Sequence, residues 1–368
     1  MTLPLRPDLA GLEPYGAPQL DVPYLLNVNE NPYAPPPEVV DAVTEAVRAA
    51  TGGLNRYPDR DFLPLRADLA AYLGSESAAV GLDADHLWAA NGSNEVMLHV
   101  LQAFGGPGRV AMSFAPTYSM YPEYARDTFT QWHVAPRASD FSVDPDAAVA
   151  EIQRVRPAVV LVASPNNPTG TALPLETTRR LAEATRTSGP DGGASVLVID
   201  EAYAEFRRAG TPSAVTLLAE HPHLAVARTM SKAFAYAGAR VGYLAAAPTL
   251  VDALRVVRLP YHLSAVTQAV ARAAVAHADL LQRQVTQIRQ DRDACVAWLR
   301  ERGFDTVDSD ANFVLFGRLD DRHAVWKGLL DRGVLIRETG PQQYLRVSIG
   351  TPDEMTAFRD ALTEVTGL

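Results

Sequence analysis

The chain has 368 residues and a formal net charge of −10, from 33 basic and 43 acidic side chains. At 47% hydrophobic and 21% charged residues it is not disordered in bulk, and it is too long for one simple core. The acidic balance excludes a broad basic face for nucleic acid, and the single cysteine, Cys295, excludes internal disulfides and thiolate zinc clusters.

Anionic ligands must therefore be met by local arginines. No run of ~18 apolar residues marks a membrane-spanning helix, and the opening MTLPLRPDLAGLEPYG has neither the basic head nor the apolar run of a signal peptide. No membrane and no nucleic-acid partner are expected, and the lone cysteine fits a reducing cytoplasm. Lysine occurs only at Lys232 and Lys327, the other 31 basic residues being arginine, so lysine-dependent chemistry has few candidates.

Residues 1–31 are rich in Pro, Gly and Leu without a period and read as an extended arm that needs another surface. Pro35 to Ala50 reads as a helix, with prolines at its start and Val39, Val43 and Val47 four apart. TGGLNRYPDR is a loop. The runs HLWAAN, RVAMSF, FTQWHVA, AVVLVAS, SVLVID, LAVART and ARVGYLAAA have strand length, and several are apolar on both faces. Helical stretches such as NEVMLHVLQAF and DPDAAVAEIQRV lie between them. This alternation predicts an α/β domain with a mostly parallel sheet over residues 54–257. A long helix follows from about Ser264 to Arg302. The end then reads strand (NFVLFG), helix (HAVWKGLLDRG), strand (GVLIRE), strand (YLRVSIG) and helix. With residues 32–53, residues 258–368 are expected to form a smaller α+β domain.

Gly106-Pro-Gly108 follows a helix and precedes a strand, the reverse of a dinucleotide fingerprint, and reads as a plain turn. No phosphate-loop, zinc-protease or hydrolase motif is present, and the histidines show no metal spacing. In AANGSNEVMLHV a strand passes into a helix at Ser93 and Asn94. Either an anion docks on the free amides, or Ser93 caps an ordinary helix. Thr229, Ser231 and Lys232 follow a strand directly, with Arg240 eight residues beyond Lys232. Hydroxyls and a guanidinium suit a phosphate, and a lysine desolvated among cations becomes nucleophilic. Val325, Leu329 and Leu330 form one face of the next lysine's helix, and Lys327 projects away from the centre of that face and reads as a surface charge. Asp200 ends a buried strand, where it can face a ligand or cap the following turn. In VASPNNPTGTA two prolines are expected to hold Asn166 and Asn167 in an extended loop.

SPNNPTG, VIDEAY and TMSKAFAYAGARVGY, in this order, resemble the fold type I pyridoxal-phosphate aminotransferases of class I and II. Within that group the chain resembles the histidinol-phosphate aminotransferases over nearly its whole length, through EPYGAPQ, LNVNENPY, LNRYPDRD, AANGSNE, APTYSMYP, RLPYHLS, SDANFVLF, GVLIRE and YLRVSIG. Ala237 and Ala239 stand where many relatives carry Leu or Gly.

The resemblance implies pyridoxal 5'-phosphate as cofactor and a division into a large cofactor-binding domain and a small one. It implies that Lys232 attaches the cofactor covalently and shuttles a proton between substrate and cofactor. Asp200 would pair with the ring nitrogen, Asn167 and Tyr203 would bind the ring oxygen, and Tyr118 would stack on the ring. The phosphate would sit among Ser93, Asn94, Thr229, Ser231 and Arg240, with Tyr57 arriving from a neighbouring subunit, so a homodimer with shared sites is implied. Arg346 would bind the α-carboxylate of glutamate or 2-oxoglutarate and, by turns, the phosphate of histidinol phosphate, helped by Arg337 and Tyr15. The implied activity is histidinol-phosphate transamination in histidine biosynthesis. Aromatic amino-acid aminotransferases and phospho-amino-acid decarboxylases of the same fold share the cofactor residues and remain alternatives. A non-catalytic ligand-sensing regulator would need a basic DNA-reading module for which the chain has no spare length.

Overall fold

A computed structural model describes residues 3–368, so the first two residues of the expected arm lie outside the description. The order begins with β1 (Tyr24–Leu25), α1 (Pro37–Thr51), α2 (Leu63–Ser77), β2 (Leu87–Ala90), α3 (Ser93–Phe104) and β3 (Val110–Ala115). Then come α4 (Tyr121–Asp127), β4 (Gln131–Pro136), α5 (Pro145–Val155), β5 (Val159–Ala163), α6 (Leu175–Thr185), β6 (Val196–Asp200), β7 (Leu224–Thr229), β8 (Gly242–Ala246) and α7 (Pro248–Val257). The remainder is α8 (Ala265–Ala276), α9 (Ala278–Glu301), β9 (Asp305–Thr306), β10 (Phe313–Gly317), α10 (Arg322–Leu330), β11 (Val334–Leu335), β12 (Tyr344–Ser348) and α11 (Pro352–Thr366).

Strands β2 to β8 form one seven-stranded sheet in the order β2-β8-β7-β6-β5-β3-β4. Neighbours from β7 across to β4 are parallel, while β8 runs antiparallel to both β2 and β7. Every residue of β2, β5, β6, β7 and β8 is buried, which is why these strands read as continuous apolar runs. The edge strand β4 is largely half-buried or exposed. Register pairs Ala163 with Asp200 and Asp200 with Ala227, so the carboxyl ends of β5, β6 and β7 lie side by side. In an open parallel sheet that edge is where ligands bind.

The C-terminal part holds an antiparallel sheet in the order β12-β10-β9, with Leu315 opposite Arg346. Its aromatic packing includes Phe316 against Phe358 and Phe304. The arm gains a surface there: β1 pairs in parallel with β11. Neither β1 nor the short β9 is visible as a strand in the sequence pattern, since two residues carry no period.

Three local expectations need correction. The helix expected over Ser264–Arg302 is two helices, broken at His277, whose φ of −117° and ψ of 25° leave the helical region. Asn166 and Asn167 do not lie in an extended loop. The segment closes on itself through Asn166 N–H to Thr171 O (2.8 Å) and Gly170 N–H to Asn166 O (2.7 Å), with both X–Pro bonds cis. GVLIRE keeps only Val334–Leu335 as strand, followed by an isolated bridge between Arg337 and Arg346. Gly106-Pro-Gly108 is a turn between α3 and β3. Among the described residues no helix is long and apolar enough to cross a membrane, and no His/Cys/Asp/Glu group could hold a metal ion.

Candidate active site

A cavity of about 450 Å³ opens at the carboxyl ends of β5, β6 and β7, closed on its other side by the arm and by β12. Every candidate named from the sequence lines it except Tyr57. Tyr57 is 80% exposed and stacks on Tyr261 at 4.5 Å, outside its own chain's cavity.

At one end stands the start of α3. Its N-cap is Gly92 rather than Ser93, and no side chain caps it, so the first-turn amides of Ser93 and Asn94 are left to the cavity. Gly92 has φ 92°, and a Cβ there would lie 2.5 Å from Arg240 Nη2. Glycine is therefore required twice, by the backbone and by the close guanidinium. A Cβ at Gly242 would run into Ser93 N, which brings β8 tightly under the helix start. Arg240 Nη1 also lies 3.4 Å from Ser231 Oγ, and Thr229 Oγ1 lies 3.0 Å from Ser231 Oγ. Two amides, two hydroxyls and a guanidinium thus converge as an anion cradle.

Lys232 Nζ donates to Val28 O at 2.9 Å. Desolvation, with Arg346 and Arg240 adding to it against the opposing pull of Glu30, brings its pKa down to about 8. Lys327 instead sits exposed on α10, paired with Asp331. Asp200 lines the cavity and caps the following turn: Oδ1 accepts from the Ala202 amide (3.2 Å), and Oδ2 accepts from Tyr121 Oη (2.9 Å). Burial raises its pKa to about 6, against the opposing hydrogen bonds from Tyr121 and the Ala202 amide and with Glu201 adding to the rise. Tyr203, on the turn after β6, packs edge-on against Phe313 at 5.1 Å and accepts from Asn29 Nδ2 at 3.0 Å. Tyr118 meets Tyr121 edge-on at 5.6 Å.

Arg346 on β12 is 6% exposed, and its partners are neutral: Asn167 Oδ1 at 2.5 Å and Asn27 O at 2.7 Å. Its Nε has no partner. Burial lowers its pKa to about 10. Arg337 is held beside it by the paired backbone, and Tyr15 Oη lies 2.9 Å from Ser119 Oγ at the mouth.

The sequence reading gave no role to Asn27, Val28, Asn29 or Tyr121, although all lie inside quoted motifs. The consecutive arm residues touch Arg346, Lys232 and Tyr203 in turn. Their signal was the polar LNVNENPY run, too polar for a strand of the core.

Among the described residues, Lys232, Arg240, Arg337 and Arg346 have no carboxylate partner, whereas most other arginines do. One buried carboxylate, Asp200, has no cation. This donor set fits a ligand with an anionic phosphate at the α3 end, a cationic ring nitrogen at Asp200 and a carbonyl carbon within reach of an amine, which is the charge pattern of pyridoxal phosphate.

Comparison with known proteins agrees with that fit. The sequence profile of aminotransferase class I and II matches residues 23–362. The chain is 59% identical over 365 residues to a histidinol-phosphate aminotransferase of Thermobifida fusca (strain YX), covering 99% of this chain and 96% of that one. It is 57% identical over 366 residues to a histidinol-phosphate aminotransferase 3 of Burkholderia lata, covering 100% and 96%. Among solved structures, that of histidinol-phosphate aminotransferase from Sinorhizobium meliloti in complex with pyridoxal-5'-phosphate superposes with a TM-score of 0.85 at 25% identity, covering 99% of this chain and 98% of that one. An aspartate aminotransferase of Thermus thermophilus shares the fold at a TM-score of 0.80 and 23% identity, with 98% of each chain covered.

Proposed function

The chain belongs to the class I and II aminotransferases, and from that premise we propose how its residues carry amino transfer between L-histidinol phosphate or imidazole-acetol phosphate and glutamate or 2-oxoglutarate, a step of histidine biosynthesis. It is a pyridoxal-phosphate-dependent transaminase of fold type I. The observation that carries the assignment of residues is the cavity's charge pattern: four cations without a carboxylate, and one buried carboxylate without a cation.

Pyridoxal phosphate, when bound, supplies an aldehyde carbon for covalent attachment and a ring that accepts electron density from the substrate Cα. The Ser93 and Asn94 amides, the Thr229 and Ser231 hydroxyls and Arg240 hold the phosphate. Asp200 sets its carboxylate against the ring nitrogen and keeps a proton there, Tyr121 and the Ala202 amide fixing its oxygens. Tyr203 and Asn167 hydrogen-bond the ring oxygen, and Tyr118 covers the ring face. Lys232 Nζ, as a free amine, would take the proton from the substrate Cα and deliver it to the former aldehyde carbon of the cofactor. Arg346 binds the α-carboxylate of glutamate. In the alternate half-reaction it binds the phosphate of histidinol phosphate together with Arg337 and Tyr15, since a planar guanidinium suits both anions.

The active unit is a homodimer in which Tyr57 of one subunit completes the phosphate site of the other. Tyr57 lies outside its own cavity, Leu54 on its loop is exposed, and so are Val256 at the end of α7 and Leu259 just beyond it. Mixing inactive Lys232→Ala with inactive Tyr57→Ala subunits restores partial activity on this account, and no recovery in demonstrated heterodimers contradicts it. Residues 54–257 form the cofactor-holding unit, because the seven-stranded sheet lies wholly inside them. Limited proteolysis cutting first within 87–246 would oppose that division. A single cysteine, Cys295, fits a reducing cytoplasm, where fractionation should find the protein.

Substrate choice is tested by rates with two amino donors. kcat/KM for histidinol phosphate should exceed that for phenylalanine by at least ~10²-fold, because a site built for polar groups rejects a ligand lacking them. Arg337→Ala should erase much of that gap and spare glutamate, whose carboxylate keeps Arg346. Phenylalanine or tyrosine performing as well or better would contradict the substrate and leave transamination standing.

A further inference from the structure

Asn29 belongs to the arm, has φ 57° and is almost wholly buried. Four hydrogen bonds hold it. Its backbone N–H donates to Ser348 Oγ (2.9 Å), and Ser348 Oγ donates to Asn29 Oδ1 (3.0 Å). Its carbonyl accepts from Asn312 Nδ2 (3.0 Å), and its Nδ2 donates to Tyr203 Oη (3.0 Å).

The direction of each proton follows from counting donors. A serine hydroxyl has one proton; Ser348 Oγ accepts the Asn29 amide, so its own proton goes to Oδ1. The alternative orientation of the Asn29 amide would leave that proton without an acceptor in a buried site. Nδ2 therefore faces Tyr203. A tyrosine hydroxyl also has one proton, and an N–H already occupies one of its acceptor positions. Tyr203 is itself buried, its ring wedged against Phe313, and its hydroxyl borders the cavity. The cavity is the remaining destination for its proton.

We infer that Asn29 is a positioning residue that turns the phenolic proton of Tyr203 into the cavity, toward the cofactor's ring oxygen. The inference rests on the cofactor reading of the site. Asn29 does not touch the reacting atoms and acts through Tyr203. The arm thereby couples its own docking, through Ser348 and Asn312, to the acidity of the lysine-bound cofactor. Burial raises the Tyr203 pKa against the opposing pull of Arg346 and of the Asn29 donor, so the proton stays on Tyr203.

The test is the pH midpoint of the visible absorbance of the holoenzyme. Asn29→Gly removes the amide and keeps the positive φ without backbone cost. Asn29→Asp keeps the shape and tolerates that φ, but puts an acceptor where the donor stood. Without a directed donor on its ring oxygen, the lysine-bound cofactor holds its proton to higher pH. The midpoint should rise by about 0.5 pH unit in Asn29→Gly, and further in Asn29→Asp. In a Tyr203→Phe background the shift caused by Asn29→Gly should disappear, and that of Asn29→Asp should shrink to the part due to its charge. Equal shifts in both backgrounds would overturn the inference, because Asn29 would then act through the fold. No shift in either variant would overturn it too. Should Asn29→Gly not fold, the isosteric Asn29→Asp decides by the same cycle. A wild-type holoenzyme with no titrating visible band would overturn the cofactor reading together with this inference, which separates the two failures.

Discussion

Two arginines lie on buried strands of this molecule and are treated in opposite ways. Arg228, on β7, is fully enclosed and meets three carboxylates: Glu201 at 2.8 Å, Glu205 at 3.0 Å and Glu76 at 3.0 Å, with Ser213 Oγ at 3.2 Å. Arg346, on β12, is almost as deeply buried and meets only an amide oxygen and a backbone carbonyl. Against the pull of burial the carboxylates hold the Arg228 pKa well above the usual arginine value, whereas burial, with Arg337 adding to it, draws Arg346 down to about 10. A cation the fold satisfies is structural. One that the fold desolvates and leaves without an anion is kept for a ligand. Geometry separates the two regions as well: Asp200 and Glu201 are adjacent, as are Arg228 and Thr229, and successive side chains on a strand point to opposite faces. The cavity side thus takes Asp200 and Thr229, and the Glu201–Arg228 pair locks the other face of the same strand ends.

The largest expected effect breaks the structural region. Arg228→Met leaves Glu205 buried without a paired cation and Glu201 with only Arg207 at 3.7 Å, and should cost about 3–5 kcal/mol of folding stability, read by denaturant unfolding. Arg346→Met should do the reverse. Its unfolding midpoint should change little, since no carboxylate is orphaned, while kcat/KM for glutamate falls roughly 10²- to 10³-fold with the loss of a charged, bidentate-capable donor. If the two variants lost stability and activity in the same proportions, the distinction between a satisfied and a reserved arginine would collapse.

A smaller effect concerns Lys232. Only its free amine attacks an aldehyde, so the rate at which the apoprotein captures pyridoxal phosphate should climb as the pH passes about 8. Its folded pKa lies below the usual lysine value. The unfolded chain therefore holds that proton more tightly, and the apoprotein should gain stability as pH rises from about 8 toward the ordinary lysine range. Glu30 opposes the depression, so Glu30→Gln should move the capture midpoint down by a few tenths of a unit, measured by absorbance. An upward movement would show that Glu30 does not face the amine.

Much of this was legible in the sequence for a physical reason. Strands buried on both faces are forced to be continuous apolar runs, so the polar residues that end them, Asp200 and Thr229 with Ser231 and Lys232 beyond, stand out against them. The arginines without carboxylates were not legible as such. Whether Arg346 or Arg228 is paired depends on contacts across the fold, such as Glu76 to Arg228, 152 positions apart. The roles of Asn27, Val28 and Asn29 were hidden likewise, because two of them act through backbone carbonyls that any residue could supply. Tyr121 sits in the quoted APTYSMYP, yet its bond to Asp200 requires α4 to be packed against the end of β6. The break at His277 carries no proline or glycine, and helical spacing runs through it.

On the proposed reading Lys232, desolvated among cations with no anion of their own, is the amine that holds the cofactor. Purified protein should be yellow. Borohydride reduction followed by peptide mapping should place the fixed cofactor on Lys232, the amine inside the cavity, and leave Lys327, exposed and paired with Asp331, unlabelled. A label on Lys327, or no fixed label at all, would contradict it.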